Sequence, residues 1–280
     1  DEVKNLCVFI GQSAVIGMSL PQVIGFTLLM KCQETAGKAQ PNPWVTFGDG
    51  EFVPQCRDES LGRRLREIAF RAAGGGTGEE ADIDGEDRAE GGYHQLIVWD
   101  PAAQEIVGGY RFIVCTSSRQ PHLSTEHYFH FSDLFRRRYL PHTIELGRSF
   151  IQPAYQARSN TKSIYALDNL WDGLGALIVL DPRAKYLFGK VTMYTTYKAV
   201  ARNALIWFLR RYFPDRDNLV EGIHPLRLDL DDPYYEQLFT GQTYQENYRI
   251  LIQKIREFNE NIPPLINAYM NLSPTMRVFD

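Results

Sequence analysis

The sequence predicts an α/β (α+β) fold, a mixed sheet covered by helices. Three observations carry that prediction. Two alternating runs, His94 to Asp100 and Glu105 to Cys115, are joined by a short turn through Pro101 and read as a β-hairpin. After a third strand at Thr143 to Ile151 the pattern changes to helix, strand, helix, and that alternation behind an antiparallel hairpin indicates a mixed sheet. The 280 residues are 44% apolar, 12% aromatic and 23% charged, a globular balance with enough length for a substantial core.

The elements follow in chain order. Asn5 to Met30 holds no charged residue and is long enough for a bilayer crossing of ~20 residues. Gly11, Gln12, Ser13, Gly17, Ser19, Pro21, Gln22 and Gly25 break it into pieces such as Leu6 to Ile10 and Val23 to Met30, sized for a buried strand or short helix. Buried core is favoured over membrane-surface contact, and the acidic start Asp1-Glu2 lacks the basic region of a signal peptide. Beyond a Pro/Gly-rich connector, Pro41 to Gly50, Asp58 caps a helix whose Leu61, Leu65, Ile68, Ala69 and Ala72 share one face. Gly74-Gly75-Gly76 ends it; following a helix instead of preceding one, the run lacks the donor geometry of a P-loop. After the hairpin and third strand comes a polar loop, Pro153 to Lys162. A helix from about Ser163 repeats Ile164, Leu167, Trp171, Leu174 and Ile178 at helical spacing. Then come a strand at Tyr186 to Tyr194 and a helix with Ala201, Ala204, Leu205, Phe208, Leu209 and Tyr212 facing inward. The tail is rich in Tyr and Asn, contains Pro263-Pro264, and reads as an accessory helical region. The expected organisation is an unassigned segment over 1–57, a core over 58–215 and an accessory region over 216–280.

The net charge of −4 offers no global positive field to neutralise phosphates, so a nucleic-acid partner is not expected. Cys7, Cys32, Cys56 and Cys115 lie far apart with no C-x-x-C pair, which fits reduced thiols in a cytosolic protein. His127 and His130 lack a third ligand at recognisable spacing, so no metal is assigned.

Two segments hold charges that ask for an explanation. The loop Glu79 to Asp87 offers alternating carboxylates, but Tyr93 stands where a calcium loop starting at Asp82 needs its Glu. It is either a solvated acidic loop or a carboxylate cluster for a substrate ammonium group. Glu145 and Arg148 stand three apart in a strand otherwise fit for burial, facing opposite sides unless Gly147 supplies a bulge. Burying unpaired charge is costly, so both need partners; an ion pair with Arg111 is the structural reading, and a functional site is the other.

Leu65-Arg66 with Phe70, Glu80-x-Asp82-x-Asp84 with Asp87, Val107-Gly-Gly-Tyr-Arg111 and Glu145-x-x-Arg148-Ser149 together resemble the GNAT-fold acyltransferases of two related branches. These are the acyl-homoserine-lactone synthases and the ornithine-lipid or glycine-lipid N-acyltransferases, often called hemolysin-like. The second branch, in its Bacteroidetes-type members, is the closer match, through residues 65–78, Asp168 to Gly175 and Phe188 to Tyr194. Residues 1–57 carry none of the resemblance. It implies a mostly antiparallel central sheet with helices on both faces. It also implies transfer of a fatty acyl group, usually 3-hydroxylated, from acyl carrier protein to the α-amine of glycine or ornithine, with no bound cofactor.

That reaction needs a base, donors for the thioester carbonyl and a proton for the leaving thiolate. The resemblance assigns Glu145 as base with Arg148 beside it, and Tyr194 and Tyr197 as candidates to protonate the thiolate. Glu145 would act directly or through water, Asp82, Asp84 and Asp87 would hold the amine, and Arg66, Arg111 and Arg148 would receive the acceptor carboxylate or orient the acids. The loop Gln156 to Lys162 contains no Gly, departing from the family's phosphate cradle, so Gln156, Arg158, Lys162 and Ser163 would meet the donor phosphate through a helix N-terminus and two cations. One phosphate on a phosphopantetheine arm suits this better than the several of coenzyme A. Carrier proteins are acidic, so Arg136-Arg137-Arg138, and also Arg210-Arg211, are docking candidates. A coenzyme A-dependent N-acyltransferase on a small amine is the alternative enzyme, and a membrane-active or lipid-binding protein the alternative of another class. The expected place is the cytoplasm, with peripheral contact at the inner membrane face.

Overall fold

The structure, a computed structural model, describes residues 4–11, 27–31, 44–47, 59–89, 91–115, 121–156, 163–194, 196–225, 228, 230–273 and 275–279. The strands are β1 (Lys4–Gly11), β2 (Thr27–Lys31), β3 (Trp44–Phe47), β4 (His94–Asp100), β5 (Glu105–Val114), β6 (Phe129–Phe131), β7 (Thr143–Ile151), β8 (Tyr186–Met193), β9 (Val220–Gly222) and β10 (Arg277–Phe279). The helices are α1 (Glu59–Ala72), α2 (Gly85–Arg88), α3 (Ser163–Leu180), α4 (Ala199–Tyr212), α5 (Asp232–Leu238), α6 (Tyr244–Glu257) and α7 (Pro264–Leu272). The fold is mixed α/β with a mostly antiparallel sheet, and β4, β5, β7 and α3 begin where the sequence puts them.

The described residues form two compact units, one within 15–124 and 141–187, the other within 1–14, 125–140 and 188–280. In the first, strands run in the order β7-β5-β4-β2-β3, and each neighbouring pair is antiparallel. A Cβ on Gly62 of α1 would meet Ile97 and Ile106, while one on Gly173 of α3 would meet Leu96 and Tyr110. Neighbouring residues of a strand point to opposite faces, so Leu96 and Ile97 place α3 and α1 on opposite sides of the sheet. Under α1 lies an apolar cluster of Ala69, Ile97, Trp99, Ile106 and Phe150, with Leu65 and Phe70 packed against it.

The first helix differs from its sequence pattern. Leu61 and Ile68 are 40% and 53% exposed, while Arg66 and Glu67 are buried at 1% each. The inner face therefore carries charge because partners wait for it there. Its expected cap, Asp58, lies outside the described residues. Glu67 accepts from the Thr77 amide and hydroxyl at 2.8 and 2.9 Å, from the Gly78 amide at 2.9 Å and from Arg71 at 2.8 Å. The glycine-rich loop thus does end the helix, and its amides are already occupied by a carboxylate of the chain itself. Gly76 has φ +98°, and a Cβ there would come 2.8 Å from the Glu67 carboxylate.

In the second unit the strand order is β10-β1-β8, with β6 paired to β9. Ala201, Ala204, Leu205, Phe208 and Leu209 of α4 are buried, as their spacing predicts. Thr243 and Glu246 cap α6 reciprocally. Among the described residues no helix is long and apolar enough to cross a membrane.

Candidate active site

The site is built in the unit containing β4, β5 and β7. Its acidic loop is set by a small cap: Asp84 accepts from the Asp87 amide at 2.9 Å while the Asp87 carboxylate receives the Asp84 amide, closing a capping box on α2. The reciprocal bonds fix where both carboxylates point. Asp82 is fully buried and Asp87 is 9% exposed, whereas Glu79 and Glu80 face solvent and Glu86 is half-buried. The solvated-loop reading therefore fails for the inner acids.

Three guanidinium groups meet three carboxylates there. Arg66 pairs with Asp82 and Asp87, both at 2.8 Å. Arg111 pairs with Asp84 at 2.6 Å and Asp87 at 3.2 Å. Arg148 reaches Asp82 at 3.1 Å and Asp84 at 3.3 Å. Formal charges cancel, which is what allows Arg66 and Arg111 to be buried. Arg148 and Asp84, at 33% and 24% side-chain exposure, form the open rim of the network. Burial pushes the Asp84 carboxyl up, but the Arg111 charge and hydrogen bond, the Asp87 amide and Arg148 together hold it well below the usual carboxylate range.

β7 is bent where these groups gather. Arg148, not Gly147, takes the left-handed conformation, with φ +55°, and the register with β5 shifts between Gly109 and Arg111. Gly108 and Gly109 permit the close approach, since a Cβ on either would collide with the Phe150 or Leu96 carbonyl. Glu145, paired in register with Ile113, is fully buried. Its Oε1 accepts from the Tyr93 hydroxyl at 2.5 Å and from Ser124 Oγ at 2.9 Å. Arg111, the ion-pair partner expected for this strand, is engaged by Asp84 and Asp87 and lies 4.3 Å over the Tyr93 ring. Burial, then the Glu145 charge and hydrogen bond, push the Tyr93 hydroxyl far up, so it remains a protonated donor. Tyr93 and Ser124 are functional candidates the sequence did not flag.

The remaining expected site residues are dispersed. Gln156 is exposed and its amide donates to the Ile151 carbonyl. Ser163 is the first residue of α3, and Arg158 and Lys162 lie outside the described residues. Tyr194 and Tyr197 belong to the second unit, where Tyr197 donates to the Asn261 carbonyl at 2.9 Å. Arg136, Arg137 and Arg138 sit there on a π-helical turn, Phe135–Tyr139. Arg136 pairs with Glu126 and Arg137 with Asp133, both at 2.8 Å, and Arg138 is exposed. Arg210 and Arg211 line a cavity of roughly 490 Å³ with Trp207, Leu228, Leu230 and Asp232. No group of three or more His, Cys, Asp or Glu is arranged to hold a metal among the described residues.

The family described as "Acetyltransferase (GNAT) domain" matches residues 65–166, the stretch that carries Arg66, the acidic loop, Arg111, Glu145 and Arg148. Over 222 residues the chain is 55% identical to a glycine N(alpha)-acyltransferase of Bacteroides thetaiotaomicron, covering 77% of this chain and 66% of that protein. It is 50% identical to a glycine N(alpha)-acyltransferase of Phocaeicola vulgatus, covering 77% of this chain and 68% of that one. The chain thus spans about two thirds of the length of the curated relatives it matches.

Proposed function

The chain belongs to the GNAT-fold N-acyltransferases, and from that premise we propose that it moves a fatty acyl group from a phosphopantetheine thioester to the α-amine of glycine. The observation that carries the reading is a fully buried Glu145 three residues from Arg148, whose guanidinium with Asp84 forms the open rim of an otherwise closed charge network. The strand that carries this base also presents a half-exposed cation, Arg148, against a half-exposed anion, Asp84, and such a pair suits a zwitterion. Glycine is favoured over ornithine as acceptor because both curated relatives are glycine N(alpha)-acyltransferases.

In this reading the glycine carboxylate lies on Arg148 and its ammonium on Asp84. Arg66, Arg111, Asp82 and Asp87 hold those two in place. The ammonium gives one proton towards Glu145 and the free amine attacks the thioester carbon. A C–N bond forms, the C–S bond breaks, and the thiolate takes a second nitrogen proton, leaving an amide, a thiol and one proton for solvent. A carrier-protein donor is favoured over coenzyme A by the exposed Arg137 and Arg138, which present cations to an acidic partner.

The test is incubation of the purified chain with acyl carrier protein or coenzyme A thioesters and with glycine, ornithine or ethylamine, followed by mass analysis. N-acylglycine formed faster from the carrier-bound chain is expected. No acylated glycine from either donor overturns the acceptor reading, and faster turnover of acyl-coenzyme A overturns the donor.

A further inference from the structure

We propose that Ser124 is the catalytic residue that touches the acceptor amine and relays its proton to Glu145, with Tyr93 as the positioning residue behind both. The proposal rests on the acyl-transfer reading and adds the route the proton takes. Glu145 has no exposed surface, so its carboxylate meets neither solvent nor an amine directly. Tyr93, at 5%, is nearly as enclosed. Of the three groups joined at Glu145 Oε1, Ser124 alone is half-exposed.

The hydrogen bonds fix the direction of transfer. The Tyr93 hydroxyl has one proton and lies 2.5 Å from Glu145 against 3.2 Å from Ser124 Oγ, so the proton goes to Glu145. Its lone pair accepts the Ser124 amide at 2.8 Å, which pins the serine backbone. Ser124 Oγ then gives its own proton to Glu145 at 2.9 Å, and its lone pairs remain for an incoming N–H. The relay is also tied to the rim where glycine would sit, because Arg111 bonds Asp84 at 2.6 Å and lies 4.3 Å over the Tyr93 ring.

The transfer balances. The ammonium proton moves to Ser124 Oγ as the serine's own proton moves to Glu145 Oε1, so the serine ends unchanged and Glu145 ends as the neutral acid. After the amide forms, that proton returns through Ser124 to solvent. Tyr93 stays protonated throughout and makes no covalent change.

The experiment measures kcat/KM for glycine at saturating acyl donor from about pH 6 to 10 for the wild type, Ser124→Ala, Ser124→Thr, Ser124→Val and Glu145→Gln. Threonine and valine are isosteric, so any packing fault falls on both and their ratio reads the hydroxyl. Ser124→Thr should stay within several-fold of wild type, and Ser124→Val and Ser124→Ala should fall ~10²-fold near neutral pH. That deficit should shrink as pH rises, since glycine already present as free amine needs no relay, giving log kcat/KM a slope near one. Equal rates for Thr and Val, or a Ser124→Ala profile parallel to wild type, overturn the relay. With Glu145→Gln inactive, that result still leaves Glu145 as base by another route. A fully active Glu145→Gln instead removes the base from the acyl-transfer reading itself, so the two failures are distinguishable.

Discussion

Replacing Arg66 with methionine separates the charge network from the apolar cluster as the force that holds α1 to its sheet. Methionine keeps most of the aliphatic length and removes the cation lying between the buried Asp82 and Asp87. Removing one partner of a buried pair costs about 3–5 kcal/mol because the other charge is left uncompensated. Arg66 is 1% exposed and serves two carboxylates at 2.8 Å, which puts it at the upper end, about 5 kcal/mol. Arg148 engages two acids of the same network at 33% exposure, where solvent screening reduces a pair to about 1 kcal/mol or less, so Arg148→Met is the control. Adding Asp82→Asn to Arg66→Met should recover much of the loss, because it leaves two cations, Arg111 and Arg148, against two carboxylates, Asp84 and Asp87, and the penalty lies in unpaired charge and not in missing contacts. Urea unfolding of the full chain is the assay, since guanidinium would screen the interactions measured. Trp99 in the cluster beside Ala69 supplies a fluorescence probe within the same unit. Equal losses for the two methionine variants, or an Arg66→Met loss below about 1 kcal/mol, would refute the reasoning.

Three further expectations follow from the same structure. Glu67 is pushed up by burial yet drawn down to about 2 by the Thr77 amide, Arg71, the Gly78 amide and the Thr77 hydroxyl. A carboxyl lowered on folding contributes stability that is full above its unfolded value near 4.5 and lost as the pH falls towards about 2, so the stability gap between wild type and Glu67→Gln should close over that window. A gap unchanged from neutral pH to pH 3 would mean the loop does not depend on the ionised carboxylate. Asp84→Asn should raise the KM for glycine more than that for the acyl donor, read from initial rates with each substrate varied; a donor-only effect would make the rim structural. Reversing Arg136, Arg137 and Arg138 to Glu should slow reaction with a carrier-bound acyl chain and flatten its salt dependence, while unaltered kinetics would place docking elsewhere.

The sheet around the site was readable from its short runs rich in apolar residues, which the structure buries continuously on both faces: β4 and β7 span the residues that the pattern marks, and β5 stops one residue short, at Val114. The charges of the site were readable for a related reason, since Glu145 and Arg148 stand out in a strand fit for burial. What periodicity could not supply was the partner of each charge. Tyr93 and Ser124 are 52 and 21 residues from Glu145 in the chain and lie outside the regular strands, so no spacing joins them to it. The bend was located one residue early for a similar reason. Glycine is the ordinary occupant of positive φ, and the structure puts the arginine there instead.

The first helix is where pattern and structure part, and the departure has a single cause. An amphipathic reading places Leu61 and Ile68 inward, because it weighs residues by hydrophobicity alone. Turning the helix that way would carry Arg66 and Glu67 towards solvent, stranding Asp82 and Asp87 without their shared cation and the Thr77 and Gly78 amides without their acceptor. Burial of an unpaired carboxylate costs more than leaving one aliphatic side chain half-exposed, which forfeits ~1.5–3 kcal/mol at most. The helix therefore settles with its charges inward and Ile68 53% exposed. A local conflict between propensity and burial is expected where a fold carries a polar site instead of a plain core. The misfit at Arg66 and Glu67 therefore marks the edge of the same charge network that Arg148 and Asp84 open to solvent.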